Sequence, residues 1–431
     1  MKTVRIALLG AGTVGGGVLS LLRENAPLLE TQTGCRFEIR YVVVRDPAKS
    51  RAVPIPPELI TTDAERAVSD PQVDIVIEVL GGLEPASHLI RRALQAGKSV
   101  ITANKMVMAI AGDELIRLAM AHRADLLHEA SVAGSLPILT LLQGALAGNR
   151  IERVLGIVNS TTNFILTRME QAIEQGIPTE NAYADALAQA QSLGYAEADP
   201  SSDVEGYDAQ YKMAILARLA FLQYVPVESV YREGITHLSG RDLVWTQRLG
   251  YGIKLIGTAE RLPDGRLNVR VHPTLLPRMH PLYALKDANS GLWLQGNGFR
   301  DLFLHGFAAG ARPTASAVLG DLVLAARNLA LGVAGATPQP SLQPGETAPI
   351  ESLSFRYYVR AVGASEDSLR AVREAVAEWL PEWQSVEQTP EGIEQVCLTT
   401  LAPEMLFRAR LEPLRSRSDI RQIQVIRTLP D

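Results

Sequence analysis

Short apolar runs alternate, in the first third of the chain, with stretches in which apolar residues recur at helical spacing. The runs at residues 4–9, 37–44, 73–80, 99–102 and 124–129 have the length of strands, and the third has the near-continuous apolar content of a strand buried on both faces. Between them, residues 14–23, 88–96 and 108–123 are predicted to be helices. Strands and helices that alternate in this way predict a parallel sheet with right-handed crossovers.

The pattern changes at about Val132. Helices are predicted at residues 136–146, 179–192 and 204–221, and a strand at 151–158. Antiparallel strands are predicted at 252–260, 267–273 and 291–298, and a last apolar helix at 316–333. This mixture predicts an α+β domain.

A proline-rich segment, residues 336–350, is predicted to be a linker before the C-terminal part of the chain. Strands are predicted beyond it at 355–362, 385–388, 396–401 and 420–428, and helices at 365–379 and 405–414. The resulting order, βαββαβ, is ferredoxin-like.

The amino-acid composition excludes several classes of protein function. The 431 residues are 47% apolar and 21% charged, with a net charge of −5 and no basic tract, which is typical of a globular protein and gives no footprint for nucleic acid. Two distant cysteines, Cys35 and Cys397, cannot build a disulfide framework or a cysteine-based zinc site. We therefore expect a cytoplasmic protein that binds neither nucleic acid nor a membrane.

The N-terminus resembles a secretory signal at first sight, because Lys2 and Arg5 precede an apolar run at residues 6–22. Five glycines interrupt that run and no small-residue cleavage site follows, so a strand, a glycine turn and a helix are favoured. The stretch nearest to a membrane span, residues 315–336, contains Asp321 and Arg327.

The turn GAGTVG lies between the first strand and the first helix and contains the pattern G-x-G-x-x-G. In a dinucleotide-binding loop, Gly10 permits the tight turn, Gly12 lets the backbone approach a pyrophosphate, and Gly15 allows close packing of helix and strand. Thr13 and Val14 complete the loop at a helix N-terminus, which favours a phosphate. The alternative is a glycine turn that only packs.

The end of the second strand indicates which dinucleotide is bound. An acidic residue there serves the NAD ribose, whereas Arg45 stands at this position and Lys49 follows closely. Because arginine pairs well with a phosphate, NADP is favoured. The neighbouring Asp46 leaves NAD open, and Arg45 could instead be a solvated strand end.

Two regions hold lysines where chemistry is plausible. Lys105 follows the fourth strand, at the sheet edge where open α/β sheets bind ligands; otherwise it is a surface lysine. A second region, residues 190–212, is rich in acids and ends in Asp208 and Lys212, which share a helix face at a spacing of four residues. The simpler interpretation, an acidic helix cap, accounts for one or two of these acids.

This second region resembles the signature of the homoserine dehydrogenase family, A-x3-G-Y/F-[small]-x2-D-P-x2-D-[aliphatic]-x-G-x-D-x3-K. The matching residues are Ala190, Gly194, Tyr195, Ala196, Asp199, Pro200, Asp203, Val204, Gly206, Asp208 and Lys212. Further segments similar to the family are the glycine turn, EVLGGLEP, TANK, HEASVAGSLP, GIVNSTTN and PTASAV, so that the resemblance covers about residues 1–335. With no aspartokinase segment before it, the monofunctional type is expected.

The resemblance implies interconversion of L-homoserine and L-aspartate 4-semialdehyde, a step in threonine, methionine and isoleucine biosynthesis, by hydride transfer with NADP or NAD. Lys105 and Lys212 match the two lysines at the reacting oxygen, and Lys212 is the expected proton donor. Asp208 matches the acid that orients the substrate or the lysine, and Glu197 matches the carboxylate that takes the substrate amino group.

Other contacts are implied by the resemblance alone. Tyr195, Asp203 and Thr161 are expected to contact the substrate, and Gly82 and Gly310 to lie on the nicotinamide side. A sodium ion is expected on the backbone carbonyls of four residues, Glu129, Val132, Gly134 and Leu136.

The predicted organisation is a Rossmann-like dinucleotide-binding domain at 1–131, completed by about 311–335, then an α+β substrate and dimerisation domain at 132–310, the linker at 336–350, and an ACT-like domain at 351–431. A homodimer or higher homo-oligomer is implied by the family. The turn GASED departs from the usual ACT pattern, so the tail is interpreted either as an amino-acid effector site or as an interaction module.

Two rival functions remain at this stage. A non-catalytic NAD(P)-binding regulator that senses amino acids is one, and intact Lys105, Asp208 and Lys212 argue against it. A phosphorylating semialdehyde dehydrogenase is the other, and it needs a nucleophilic cysteine, which the predicted substrate domain lacks.

Overall fold

The computed structural model describes residues 1–177, 180–336, 342–379, 381–383, 387–390 and 392–429. Within these ranges the α-helices, in chain order, are α1 Thr13–Glu24, α2 Ala26–Thr33, α3 Ala64–Ser69, α4 Ala86–Gln95, α5 Lys105–Ala121, α6 Ile138–Gln143, α7 Ser160–Glu174, α8 Ala182–Ser192, α9 Ser201–Val204, α10 Tyr207–Phe221, α11 Gly240–Arg248, α12 Ala311–Leu331, α13 Glu366–Val376 and α14 Glu404–Arg415. The strands are β1 Lys2–Leu9, β2 Cys35–Val43, β3 Ile60–Thr61, β4 Ile75–Glu78, β5 Ser99–Thr102, β6 Leu126–Leu127, β7 Ile151–Ile157, β8 Gln223–Tyr224, β9 Tyr231–Arg232, β10 Tyr251–Arg261, β11 Leu267–Pro277, β12 Asn289–Gly296, β13 Phe299–Phe307, β14 Gln343–Pro344, β15 Ser354–Phe355, β16 Tyr357–Gly363, β17 Glu382–Trp383, β18 Glu387–Thr389, β19 Gly392–Leu398, β20 Ala402–Pro403 and β21 Ile420–Thr428.

The chain forms two compact units, each built from three segments. The first comprises Met1–Val154, Tyr211–Glu228 and Asn289–Gly345, and the second comprises Leu155–Gln210, Ser229–Ala288 and Glu346–Asp431. The tail therefore belongs to the same unit as β10 and β11. The domain boundaries predicted from the sequence stay a prediction.

A parallel sheet in the order β3-β2-β1-β4-β5-β6 organises the first unit. Its register aligns the carboxyl ends of four strands, because Leu9 lies opposite Val43 and Glu78, and Glu78 lies opposite Thr102. Helices α1 and α12 pack on one face, and α3, α4 and α5 on the other. This is the doubly wound order in which ligands bind at the carboxyl edge, and it confirms the predicted Rossmann-like fold.

Helix α12 is, within the described part of the chain, the one helix long and apolar enough to cross a membrane. Its apolar face packs against α1 in the core of the first unit, where Ala315, Val318, Leu322 and Ala325 are fully buried. Packing accounts for that apolar face, because a helix with such a stripe must cover it against another element.

The second unit is built on a mixed sheet with the order β10-β11-β21-β16-β19-β17. Strands β10 and β11 form an antiparallel hairpin, and the last strand, β21, runs parallel to β11. Within the tail, β21, β16 and β19 are antiparallel neighbours, and helices α13 and α14 contribute to one apolar core. The spatial order β21-β16-β19-β17 is that of a ferredoxin-like sheet, in agreement with the predicted element order βαββαβ.

Several predicted boundaries are wrong for local reasons. The helix predicted at 136–146 is the shorter α6, because the backbone leaves helical geometry at Gly144. The helix predicted at 204–221 is divided into α9 and α10 at Gly206, whose φ is +82°. The elements that the sequence did not predict include helices α2, α3, α7 and α11 and strands β3 and β13. Thr179, residues 337–341 of the predicted linker and residues 385–386 of a predicted strand lie outside the described residues.

Candidate active site

The glycine loop closes the gap between β1 and α1 with almost no room for side chains. Gly10 has a φ of +104°, and a Cβ on Gly15 would lie 2.1 Å from the Gly10 carbonyl oxygen. A Cβ on Gly12 would meet nothing within 4 Å, so this glycine faces open space. Helix α1 begins at Thr13 and Val14 without a side-chain cap, so its first amides are available to an anion. The loop has the geometry of a dinucleotide-binding turn.

The loop after β2 is exposed and basic. Arg45 and Lys49 lie at the strand end, and the Asp46 carboxylate accepts a hydrogen bond from the Ala48 amide at 2.9 Å. Arg51 donates to the carbonyls of Asp46 and Lys49 and so holds the loop closed. The acidic residue is therefore engaged in its own turn, beside two cations that suit a phosphate group.

A buried network holds the loop that carries Lys105. The Glu78 carboxylate accepts hydrogen bonds from the Leu80 amide at 2.7 Å and from the Thr102 hydroxyl at 2.5 Å. Thr102 in turn accepts a bond from the amide of Asn104, which caps α5. Burial raises the pKa of the Glu78 carboxyl. Lys105 is the first residue of α5 and is half-buried.

The two glycines expected on the nicotinamide side lie in exposed loops with left-handed backbones. Gly82 has a φ of +72°, and its carbonyl accepts a hydrogen bond from Asn104 at 2.7 Å, which ties this loop to that of Lys105. Gly310 has a φ of +100° and precedes α12. A Cβ on Gly17 of α1 would lie 2.6 Å from the Ala311 carbonyl oxygen, so the start of α12 lies directly against α1.

Asn159 organises the acidic cluster of the second unit. Its side-chain oxygen caps α7 by accepting the Thr162 amide at 2.8 Å. Its side-chain nitrogen donates to Asp203 at 2.7 Å and to Asp208 at 2.9 Å. Lys212 is half-buried and one turn beyond Asp208 on α10. The structure therefore brings two predicted carboxylates together through a residue that was not predicted.

Two of the remaining predicted substrate residues, Thr161 and Tyr195, meet at the first turn of α7, whereas Glu197 lies beside the end of α8. The Thr161 hydroxyl donates to the Tyr195 carbonyl at 2.8 Å, and the ring of Tyr195 lies 4.8 Å from that of Phe164. Glu197 is exposed, and its carbonyl accepts a hydrogen bond from Gln191 at 3.1 Å.

Not every acid of the 190–212 region belongs to the cluster. Asp199 accepts hydrogen bonds from the amide and hydroxyl of Ser201 at the start of α9, and these bonds lower its pKa. The Glu205 side chain accepts a hydrogen bond from Thr236. The alternative interpretation as helix caps and structural contacts therefore holds for Asp199 and Glu205.

The loop expected to bind sodium is buried and tightly turned. Gly134 has a φ of +50°, and its neighbour Ala133 is also left-handed at +54°. The carbonyls of Glu129 and Leu136 accept backbone amides at 3.3 Å and 2.8 Å, which leaves each one lone pair. The Glu129 carboxylate accepts two amides at the start of α6. Backbone carbonyls are ligands that hard cations accept.

A Rossmann sheet with a glycine loop, together with the lysines and ordered carboxylates, defines a dinucleotide-dependent oxidoreductase. Residues 10–129 match the family model of the homoserine dehydrogenase NAD-binding domain, and residues 137–323 match that of homoserine dehydrogenase. The chain is 45% identical over 336 residues to the homoserine dehydrogenase of Bacillus subtilis, covering 78% of this chain and 76% of that protein. The chain belongs to the homoserine dehydrogenase family, whose members are NAD(P)-dependent oxidoreductases.

Solved structures agree with this assignment. A homoserine dehydrogenase from Thiobacillus denitrificans is 34% identical with a TM-score of 0.89, covering 100% of this chain and 99% of that one. The S. aureus enzyme at pH 7.5 is 32% identical with a TM-score of 0.73, covering 99% of each chain. A hyperthermophilic archaeal homoserine dehydrogenase in complex with NADPH is 26% identical with a TM-score of 0.61, covering 75% of this chain and 97% of that one. These matches confirm the predicted family and a nicotinamide cofactor, and do not favour the regulator.

Proposed function

We propose that this chain interconverts L-homoserine and L-aspartate 4-semialdehyde with a nicotinamide cofactor. The observation that carries the proposal is the pair of carboxylates, Asp203 and Asp208, held by one amide, with Lys212 one turn further along the same helix as Asp208. Such a set can orient a polar substrate and transfer one proton, which is what the protein must add to a hydride transfer.

Each side chain has a proposed role. A bound nicotinamide would supply the hydride that reduces the aldehyde carbon. The Lys212 ammonium donates the proton that the substrate oxygen takes up as the carbonyl π bond breaks. Lys105 provides a second cation at that oxygen, and Asp208 orients the substrate or the lysine. Glu197 binds the substrate α-ammonium group.

The substrate contacts and the cofactor loop complete the proposed site. Asp203, Tyr195 and Thr161 contact the substrate, and two hydrogen bonds at the start of α7 support this: Asn159 donates to Asp203, and Thr161 donates to the Tyr195 carbonyl. NADP is the proposed cofactor because Arg45 and Lys49 stand at the end of β2, and the archaeal relative in complex with NADPH agrees.

A sodium ion on the carbonyls of Glu129, Val132, Gly134 and Leu136 is a further proposal. The left-handed turn at Gly134 and the lone pairs that remain on the carbonyls of Glu129 and Leu136 support it. Such an ion would order the loop rather than take part in the chemistry. Activity in sodium chloride compared with choline chloride tests this assignment, because backbone carbonyls can coordinate a sodium ion but not the bulky choline cation.

The assembly and location of the chain are also proposals. We propose a homodimer or higher homo-oligomer, with an ACT-like tail that binds an amino-acid effector or serves as an interaction module. A cytoplasmic location is supported by Cys35 and Cys397, which are both buried free thiols. Size-exclusion chromatography with light scattering, and activity with and without millimolar threonine, test these points.

The decisive experiment follows NADPH oxidation with L-aspartate 4-semialdehyde and repeats it with NADH. We expect turnover with both, and a higher kcat/KM with NADPH. Lys212→Ala is expected to lower kcat by about 10²–10⁴-fold with a much smaller change in KM, as for loss of a proton-transfer group. Absence of turnover in both directions would reject the proposed function, and an unchanged kcat in the variant would reject Lys212 as the proton carrier.

A further inference from the structure

A buried lysine outside the proposed site contacts the helix that organises it. Lys254 on β10 is 1% exposed, and its Nζ donates hydrogen bonds to Asn163 Oδ1 and to the Leu285 carbonyl, each at 2.7 Å. Asn163 is also 1% exposed and donates to the same carbonyl at 3.3 Å. The three groups form a closed polar triangle inside the second unit.

Asn163 lies one turn after Asn159 on α7, and its amide bonds to the Asn159 carbonyl at 3.4 Å. The turn between them carries the contacts to both carboxylates, the Thr161 bond and the Phe164 ring that packs on Tyr195. A side chain that fixes Asn163 therefore fixes the first turn of α7.

We propose that Lys254 is a positioning residue for the reaction: by holding Asn163 and the Leu285 carbonyl, it fixes the first turn of α7, and with it Asn159 and the carboxylates of Asp203 and Asp208. This inference rests on the proposed function, because the two carboxylates have a catalytic role only if the chain catalyses the proposed reaction. Supporting contacts of this kind hold reacting groups in productive geometry.

A buried cation with two neutral acceptors is costly, and an apolar side chain would pack in its place at lower cost. Burial, with Lys286 nearby, lowers the pKa of the Lys254 ammonium to about 7, while Glu170 and Asp287 oppose that shift. The neutral amine still has two hydrogens, so both bonds persist when the proton leaves. The presence of a lysine at this buried position is therefore explained by the two hydrogen bonds that fix Asn163 and the Leu285 carbonyl, rather than by its charge.

The test compares Lys254→Met and Asn163→Leu with a control, Lys286→Met. Lys286 is a neighbouring lysine that binds Glu170 near the far end of α7. We expect Lys254→Met to lower kcat for homoserine about tenfold or more, with homoserine KM and the NADPH Kd within about threefold of wild type, because orientation of the reacting groups is lost. In the control variant Lys286→Met, we expect kcat, homoserine KM and the NADPH Kd to stay within about threefold of wild type.

Two further measurements make each outcome decisive. The kcat of the double variant Lys254→Met/Asn163→Leu should be no more than about threefold below that of the less active single variant, because both substitutions remove the same contact. If the loss of kcat in the double variant equals the product of the two single losses, the proposal is overturned. An unchanged kcat in Lys254→Met also overturns it. Hydrogen exchange of amides 159–164 should speed up in Lys254→Met and not in the control. Unchanged exchange overturns the proposal whether or not the wild type uses homoserine. If exchange speeds up as expected but the wild type does not use homoserine, only the proposed function fails. If Lys254→Met does not fold, Asn163→Leu decides by the same kcat and exchange criteria.

Discussion

Asn159 donates a hydrogen bond from Nδ2 to Asp208 Oδ2 over 2.9 Å. The same nitrogen donates to Asp203 over 2.7 Å, so one neutral amide spaces two carboxylates in a buried setting. The two carboxylates therefore share one side-chain donor, which holds both at the start of α7.

Asn159→Ala should lower kcat/KM for homoserine by about 10–100-fold, because hydrogen bonds to charged groups are worth about 1.5–3 kcal/mol. Steady-state kinetics at fixed, saturating NADP measure the effect. Asn181→Ala is the matched control, since Asn181 is exposed before α8 and makes no side-chain capping bond. Equal kinetics in the two variants would show that the carboxylates keep their geometry without the amide.

Helix-face spacing predicted Asp208 and the family resemblance predicted Asp203, but neither indicated the residue that joins them. Asn159 follows the predicted strand at 151–158, and the polar, β-branched residues after it have low helix propensity, so no helix is predicted there. The structure instead begins α7 at Ser160, with Asn159 as its cap. Its bond to Asp203 joins positions 44 apart in sequence, a distance at which local periodicity carries no information.

Replacing glycines in the dinucleotide loop should separate binding from folding. Gly12→Ala should raise the NADPH Kd about tenfold or more and leave the melting temperature nearly unchanged, because the new Cβ meets only the open space where a phosphate would approach. Gly15→Ala should lower the melting temperature, because its Cβ would overlap the Gly10 carbonyl. Fluorescence titration measures the NADPH Kd, and thermal unfolding measures the melting temperature.

Gly16→Ala is the control for these two variants, since its Cβ would meet only Val53 at an ordinary 3.8 Å. Alanine in a helix is favoured over glycine by about 0.5–1 kcal/mol, so this variant should be as stable as wild type or slightly more stable. A Gly12→Ala protein that binds NADPH normally would contradict the assigned role of the loop.

The hydrophobic pattern predicted the Rossmann-like sheet well, because strands buried on both faces consist mostly of apolar residues. The same pattern did not predict which charged side chains of the tail are buried. Arg360 lies in a strand that was predicted, yet the pattern gave no sign that its side chain is 1% exposed. It donates to Asp242 at 2.7 Å and to Glu394 at 3.1 Å, and both carboxylates are buried. Such pairing depends on tertiary contacts.

Arg360→Met should therefore destabilise the protein by about 3–5 kcal/mol, because two buried carboxylates lose a cation. Urea unfolding at pH 7 measures the change. Arg417→Met is the control, because its bond to Asp419 is exposed to solvent and the unfolding midpoint should not move. If Arg360→Met changes the free energy of unfolding only slightly, the positive charge of Arg241, which also binds Glu394, would be enough to stabilise the buried carboxylates.

Asp321 on α12 gives the clearest pH dependence. It is 5% exposed, lines a cavity of about 520 Å³ in the first unit, and accepts the Glu129 amide at 2.9 Å. Burial, aided by the charge of Glu129, raises the pKa of its carboxyl from 3.8 to about 8. The folded state therefore keeps a proton that the unfolded chain releases near pH 4.

The stability of the wild-type protein should accordingly include a contribution from Asp321 that is complete below about pH 4 and is lost as pH rises to about 8. Asp321→Asn removes this titration and keeps an acceptor for the Glu129 amide. The variant should thus be more stable than wild type by about 2–5 kcal/mol at pH 8.5, and by much less at pH 5. Urea unfolding at both pH values measures the difference. Asp419→Asn is the control: that exposed carboxyl has its pKa lowered by Arg417 to about 2, so it is ionised at both pH values, and its replacement should change stability little and equally at pH 5 and pH 8.5. A gain for Asp321→Asn that is equal at both pH values would mean that the Asp321 carboxyl does not hold its proton in the folded state.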